Sequence, residues 1–122
     1  VLYCFLTGNA DMHLKNFSLL REEDGMIRFS PAYDLLPTAL LMQEDREELA
    51  LTLNGKKSRL VREDFLALAR SMSLPEKTVN RSLDKFLKRI PKAVAFIEQG
   101  FCAPPTQLAY GELMEERAAR LI

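Results

Sequence analysis

The sequence predicts a mainly α domain with one small β-hairpin set beside a polar loop. Three observations carry this reading. Val79, Leu83, Phe86, Leu87, Ile90, Val94 and Ile97 recur at steps of 4, 3, 1, 3, 4 and 3, the period of one helix face. Asp24-Gly25 stands between two apolar β candidates, 17–20 and 26–30, and is a hairpin signal. Finally, 122 residues with 48% apolar and 28% charged side chains suit one soluble globular domain with one real core.

The elements follow in order. Val1 to Thr7 is apolar and reads as the end of a buried helix or as a strand. Gly8-Asn9-Ala10-Asp11 breaks it, since Gly and Asn tolerate tight backbone geometry. The hairpin comes next, and Pro31 blocks continuation of its second strand. Ala32 to Met42, with Pro37 inside it, reads as a turn and a short helix. Leu49, Leu51 and Leu53 alternate ahead of Asn54-Gly55, which suits a short strand and turn or a helical end. Phe65, Leu66, Leu68, Ala69 and Met72 mark the next helix. Ser73 and Glu76 have capping-box spacing for the long stripe that follows, with Pro75 in its tolerant first turn. Pro91 should kink or split that stripe, because it lacks an N–H and crowds the preceding turn. Gly100 ends the pattern, and Pro104-Pro105 opens a last helix running through Leu121.

Composition excludes several function classes. Lys+Arg and Asp+Glu are both 17, so the chain is not a generally basic nucleic-acid binder. Apolar runs are too short to cross a bilayer, and nothing resembles a signal peptide, so the cytoplasm is the expected compartment. Cys4 and Cys102 make neither a disulfide framework nor a zinc site and read as two buried, reduced thiols. Charge is segregated: Lys56 to Lys92 holds 11 basic and 4 acidic residues. Lys77, Arg81, Lys85, Lys88, Arg89 and Lys92 read as a solvated basic face, with an anion-binding surface as the alternative. The chain starts inside an apolar segment at Val1, so it is expected to be a piece of a longer protein.

The chemistry lies in Gly8-Asn9-Ala10-Asp11-Met12-His13-Leu14-Lys15-Asn16-Phe17-Ser18. Asn16 follows Asp11 by five positions, and Asp34 lies beyond the hairpin. Phosphoryl transfer needs a carboxylate to orient the attacking hydroxyl, and a carboxylate and a neutral oxygen to hold Mg²⁺ against the triphosphate. Protein kinases place the base and one metal ligand in one loop as Asp-x-x-x-x-Asn, and the second ligand after the next pair of strands. Alone, that spacing is weak, and Asp11, Asn16 and Asp34 also suit turn and cap roles. Its placement between an apolar element and a hairpin is more specific.

The full string with His13, Lys15 and Ser18, followed by Ser30-Pro31-x-Tyr33-Asp34-Leu35, resembles the HipA family. These are serine/threonine kinases that act as toxins in bacterial toxin–antitoxin pairs. The specific motifs cover roughly positions 8 to 38, and Leu51-x-Leu53-Asn54-Gly55-Lys56 shares the family's flavour. The resemblance implies Asp11 as the catalytic base and Asn16 and Asp34 as Mg²⁺ ligands. His13 stands where ordinary protein kinases carry a lysine, and would contact the transferring phosphate or position Asp11. Lys15 would neutralise phosphate charge or be a solvated loop lysine. Tyr33 is expected to pack rather than react. The implied cofactors are ATP and Mg²⁺. The implied partners are a protein serine as acceptor, in this family sometimes on an aminoacyl-tRNA synthetase, and a small DNA-binding antitoxin.

The resemblance also exposes a gap. The five glycines, at 8, 25, 55, 100 and 111, never cluster into a phosphate-covering loop. Residues 1–122 are therefore expected to be a HipA-like carboxy-terminal domain without its amino-terminal lobe, with little or no kinase activity alone. The alternative is a non-catalytic helical interaction module derived from such a kinase.

Overall fold

A computed structural model describes residues 1–42, 44 and 46–122. The fold is mainly α with one two-stranded antiparallel sheet. Helix α1 spans Leu2–Thr7, followed by a 3₁₀ turn at Leu14–Asn16. Strands β1 (Leu19–Arg21) and β2 (Ile27–Phe29) form the hairpin, and α2 covers Thr38–Leu41. Helices α3 (Arg62–Ser71), α4 (Glu76–Leu87), α5 (Ile90–Glu98) and α6 (Pro104–Ala119) complete the chain.

The first segment is helix, not strand. It buries Cys4, Phe5 and Leu6 at the centre of the core. The Phe5 ring meets that of Phe65 on α3, with centroids 5.2 Å apart. Arg117 and Arg120 approach the same ring at 5.3 and 5.1 Å, close enough for cation–π attraction. Leu60, Leu83, Ile90, Met114 and Leu121 close the cluster. Burial pulls the Arg117 guanidinium below its usual value, and the charge of Glu48 partly opposes this. Arg117 Nη1 donates to the Phe5 carbonyl at 2.5 Å, so the buried charge has a fixed acceptor.

The long stripe splits into α4 and α5. Arg89 turns the chain, and Pro91 falls in the first turn of α5, where its missing N–H costs nothing. The expected capping box at Ser73 and Glu76 does not form, since Pro75 is the N-cap of α4. Ser73 is already committed to ending α3. It adopts a left-handed φ of 55°, and the N–H groups of Ser73 and Leu74 return to the carbonyls of Arg70 and Ala69 at 3.0 and 2.9 Å. That is a Schellman ending. The basic residues of α4 and α5 are exposed, as a solvated face requires.

Two other expectations change. Leu49–Leu53 forms no strand. Instead Leu53 and Lys56 make an isolated bridge around Asn54 and Gly55, whose φ values of 51° and 75° mark a type I′ turn. Cys4 is buried as expected, but Cys102 is exposed, in the open linker before α6. Among the described residues, no helix is long and apolar enough to cross a membrane.

Candidate functional site

The site is built where α1 ends. Gly8 takes φ 74°, a left-handed conformation that a side chain resists, and this turns the chain out of the helix. The Asn9 N–H then closes on the Cys4 carbonyl at 2.9 Å. The chain turns tightly after Asp11, where the His13 N–H donates to the Asp11 carbonyl at 3.0 Å, and winds into the 3₁₀ turn, which holds the polar Asn16 inward, 8% exposed. The hairpin reverses the direction. Leu19, Leu20 and Arg21 pair with Phe29, Arg28 and Ile27, and the Ser30 N–H donates to the Ser18 carbonyl at 2.9 Å. Residues after 30 therefore return beside residue 16. Asp34 sits there at φ 54°, in a left-handed conformation that aspartate and asparagine adopt more readily than other residues with a side chain.

A line of polar contacts joins the two ends. Asp11 Oδ1 lies 2.8 Å from His13 Nε2. His13 Nδ1 lies 3.0 Å from Asn16 Oδ1. Asn16 Nδ2 donates to Asp34 Oδ2 at 2.6 Å. The Asp11 carboxylate and Asn16 Oδ1 both accept, so both contacts are hydrogen bonds only when both ring nitrogens of His13 carry a proton, and a neutral ring makes one of the two. The Asp11 side chain remains 63% exposed, open to an incoming group. Four of the five site residues expected from sequence thus meet. Lys15 does not join them: its side chain is exposed, and it contributes its carbonyl, which accepts from the Tyr33 hydroxyl at 3.2 Å.

Two residues that build the site, Asn9 and Thr38, were not among the functional side chains expected from sequence, and Tyr33 adds a hydrogen bond to its structural part. Asn9, 2% exposed, bonds the backbone on both sides of the site. Thr38 Oγ1 accepts from the Ala10 N–H at 2.9 Å, tying α2 to the loop. Tyr33 was expected to pack, but its ring is exposed and its hydroxyl lies 2.7 Å from Ser18 Oγ. The signal for Asn9 was available: a polar residue directly after an apolar helix and a glycine must find partners once buried. Nothing local signals Thr38, which reaches Ala10 only through the fold.

The donor set suits a hard cation. Asn16 and Asp34 bring a carboxamide and a carboxylate together, with Asn16 Nδ2 toward Asp34 and Oδ1 toward His13, so both oxygens would face one cation once the Asn16 amide turned. Mg²⁺ takes one or two such protein oxygens and completes its shell with water and phosphate. Shallow hollows of about 110 and 70 Å³ flank the line, one along Asn16, Phe17 and Phe29, the other along Asp11 and Thr38. Each is smaller than a nucleotide needs. A larger apolar groove, about 620 Å³, lies away from the site between Tyr3, Phe86, Phe96 and Tyr110.

Comparison with known proteins points in one direction. Residues 1–94 match the family described as HipA-like C-terminal domain. The Sinorhizobium fredii protein Y4dM is 38% identical over 80 residues, which is 65% of this chain and 20% of that protein. The serine/threonine-protein kinase toxin HipA of Shewanella oneidensis is 33% identical over 97 residues, which is 77% of this chain and 22% of the toxin. The chain thus spans about a fifth of the length of these curated relatives. A chain in the solved complex of Shewanella oneidensis HipA, HipB and operator DNA superposes with a TM-score of 0.81 at 23% identity. That match covers 96% of this chain and 29% of the other. It shows a shared fold.

Proposed function

The chain belongs to the HipA-like C-terminal domain family, and from that premise we propose that it is the part of a serine/threonine protein kinase that carries the base and the metal ligands. The observation that carries this is the unbroken line from Asp11 through His13 and Asn16 to Asp34.

In this reading Asp11 orients a serine hydroxyl and takes its proton as the oxygen attacks the γ-phosphorus. The bond to the leaving ADP oxygen breaks as the new O–P bond forms. His13 holds the Asp11 carboxylate in place, and its 2.8 Å contact favours this role over direct phosphate contact. Asn16 and Asp34 would hold Mg²⁺, which would offset phosphate charge when bound with ATP. Lys15, with its exposed ammonium, is left to meet phosphate from outside. Both hollows are too small to enclose ATP, so residues 1–122 form half a clamp and transfer little phosphate alone. A kinase containing this domain would engage a DNA-binding antitoxin and a protein serine, as the family resemblance implies. The solved complex of the Shewanella oneidensis relative, which contains HipB and operator DNA, supports the antitoxin part.

The test is Mn²⁺ as a paramagnetic probe with ATP, read by NMR. Line broadening centred on Asn16 and Asp34 is the expected result. Broadening centred elsewhere, or none, overturns the assignment.

One observation favours a second reading, a non-catalytic interaction module. Leu19, Ile27 and Phe29 on the hairpin are 65, 64 and 68% exposed, and clustered exposed apolar groups mark association surfaces. Self-association without Mg²⁺-dependent ATP binding would support it.

A further inference from the structure

Asn9 is the most deeply buried polar side chain near the site after the fold has been assembled, at 2% exposure. It uses both ends of its amide. Nδ2 donates to the Asp34 carbonyl at 3.1 Å, and Oδ1 accepts from the Asp11 N–H at 3.1 Å. Its own N–H is fixed to the Cys4 carbonyl at the end of α1. One rigid group therefore ties the helix end, the base and the far metal ligand together.

We propose that Asn9 is the positioning residue that sets Asp11 and Asp34 relative to one another. Both of its side-chain bonds go to backbone, so Asn9 occupies neither carboxylate. The His13 and Asn16 contacts differ in this respect: they engage those same carboxylates, and a bound cation or phosphate competes with them. The bonds from Asn9 persist through that exchange. Asp34 also gains from outside support, because its φ of 54° is left-handed, a conformation aspartate tolerates better than most residues but still at some energetic cost. Asn9 holds the carbonyl of that very residue. Only a side chain with one donor and one acceptor at this reach makes both bonds. Aspartate keeps the acceptor and loses the donor, and alanine loses both.

This inference rests on the kinase reading for its purpose but not for its test. Hydrogen exchange of the 122-residue chain should show slow exchange at the Asp11 amide and at one Asn9 side-chain N–H. In Asn9→Asp, the Asp11 amide should stay protected while the Asp34 backbone shifts leave left-handed values. Mn²⁺ affinity should fall about tenfold or more, the usual loss when an outer-shell partner is removed. In Asn9→Ala, the protection at Asp11 should go too. If Asn9→Ala fails to fold, Asn9→Asp and exchange in the unsubstituted chain decide. Unchanged Asp34 shifts in Asn9→Asp, or a freely exchanging Asn9 amide in the parent chain, overturn the proposal. If the parent chain binds no Mn²⁺, the kinase reading fails while the Asp34 shifts still judge Asn9.

Discussion

The Asn16 amide donates to the Asp34 carboxylate at 2.6 Å, joining residues on opposite sides of the hairpin. The contact makes the 3₁₀ turn and the segment after β2 a single unit. It also makes the pair sensitive to charge. Asn16→Asp would set two carboxylates side by side in a partly buried place, and like charges there repel. We expect a loss of about 1–2 kcal/mol in unfolding free energy at neutral pH. Millimolar Mg²⁺ should restore part of it, because a ligand that binds only the folded state stabilises it. Thermal melts with and without Mg²⁺ check this. A variant as stable as the parent, or indifferent to Mg²⁺, contradicts it.

Gly8 is the turn on which the loop depends. At φ 74° an alanine is strained, and its Cβ would meet Leu113 Cδ2 at 2.5 Å. Leu113 can rotate aside, but the backbone cannot. Gly8→Ala should therefore cost about 1–2 kcal/mol from the left-handed conformation alone. A urea midpoint equal to that of the parent would show that the loop adopts another path.

Asp64 supports the fold at a distance from the site. Burial alone raises its carboxyl pKa, but the Asn54 amide, the Val61 N–H and the Lys56 ammonium together hold it below the ordinary value. Their distances are 2.8, 3.0 and 2.9 Å. A depressed folded pKa gives stability that is full above the unfolded value, about 3.9, and lost as pH falls through the lower folded one. Stability should thus drop in acid below about pH 4. Asp64→Asn should cost about 1–3 kcal/mol at pH 7 and flatten that dependence. Chemical denaturation from pH 2.5 to 7 measures both, and an unchanged acid limb in the variant would contradict the assignment.

Leu83 anchors α4, with 1% exposure against the core. Leu83→Ala should cost about 2–5 kcal/mol, the range for removing a buried leucine. A cost under about 1 kcal/mol would mean that α4 packs less tightly than the structure has it.

Much of this was legible in the sequence because the signals were local. The stripe from Val79 to Ile97 foretold one helical face and Pro91 a kink or a split in it, and the structure has the split. Asp24-Gly25 foretold the hairpin, whose paired strands are shorter than the apolar runs because Phe17 and Met26 lie outside the ladder. Asp11, His13, Asn16 and Asp34 were drawn together by motif and spacing. What the sequence hid was decided by competition or by distance. Ser73 satisfies the capping-box pattern, yet its left-handed backbone serves the preceding helix. Lys15 sits inside the motif, but the 3₁₀ turn sends its side chain outward. The Tyr33 hydroxyl finds Ser18, 15 residues away, only once the hairpin has formed.

The most direct test of the central claim is calorimetric titration of ATP into this chain, with and without Mg²⁺, beside Asp34→Ala. ATP should bind weakly, only with Mg²⁺ present, and not to Asp34→Ala. Binding that ignores Mg²⁺ or survives the substitution would contradict that claim, and so would the absence of any binding.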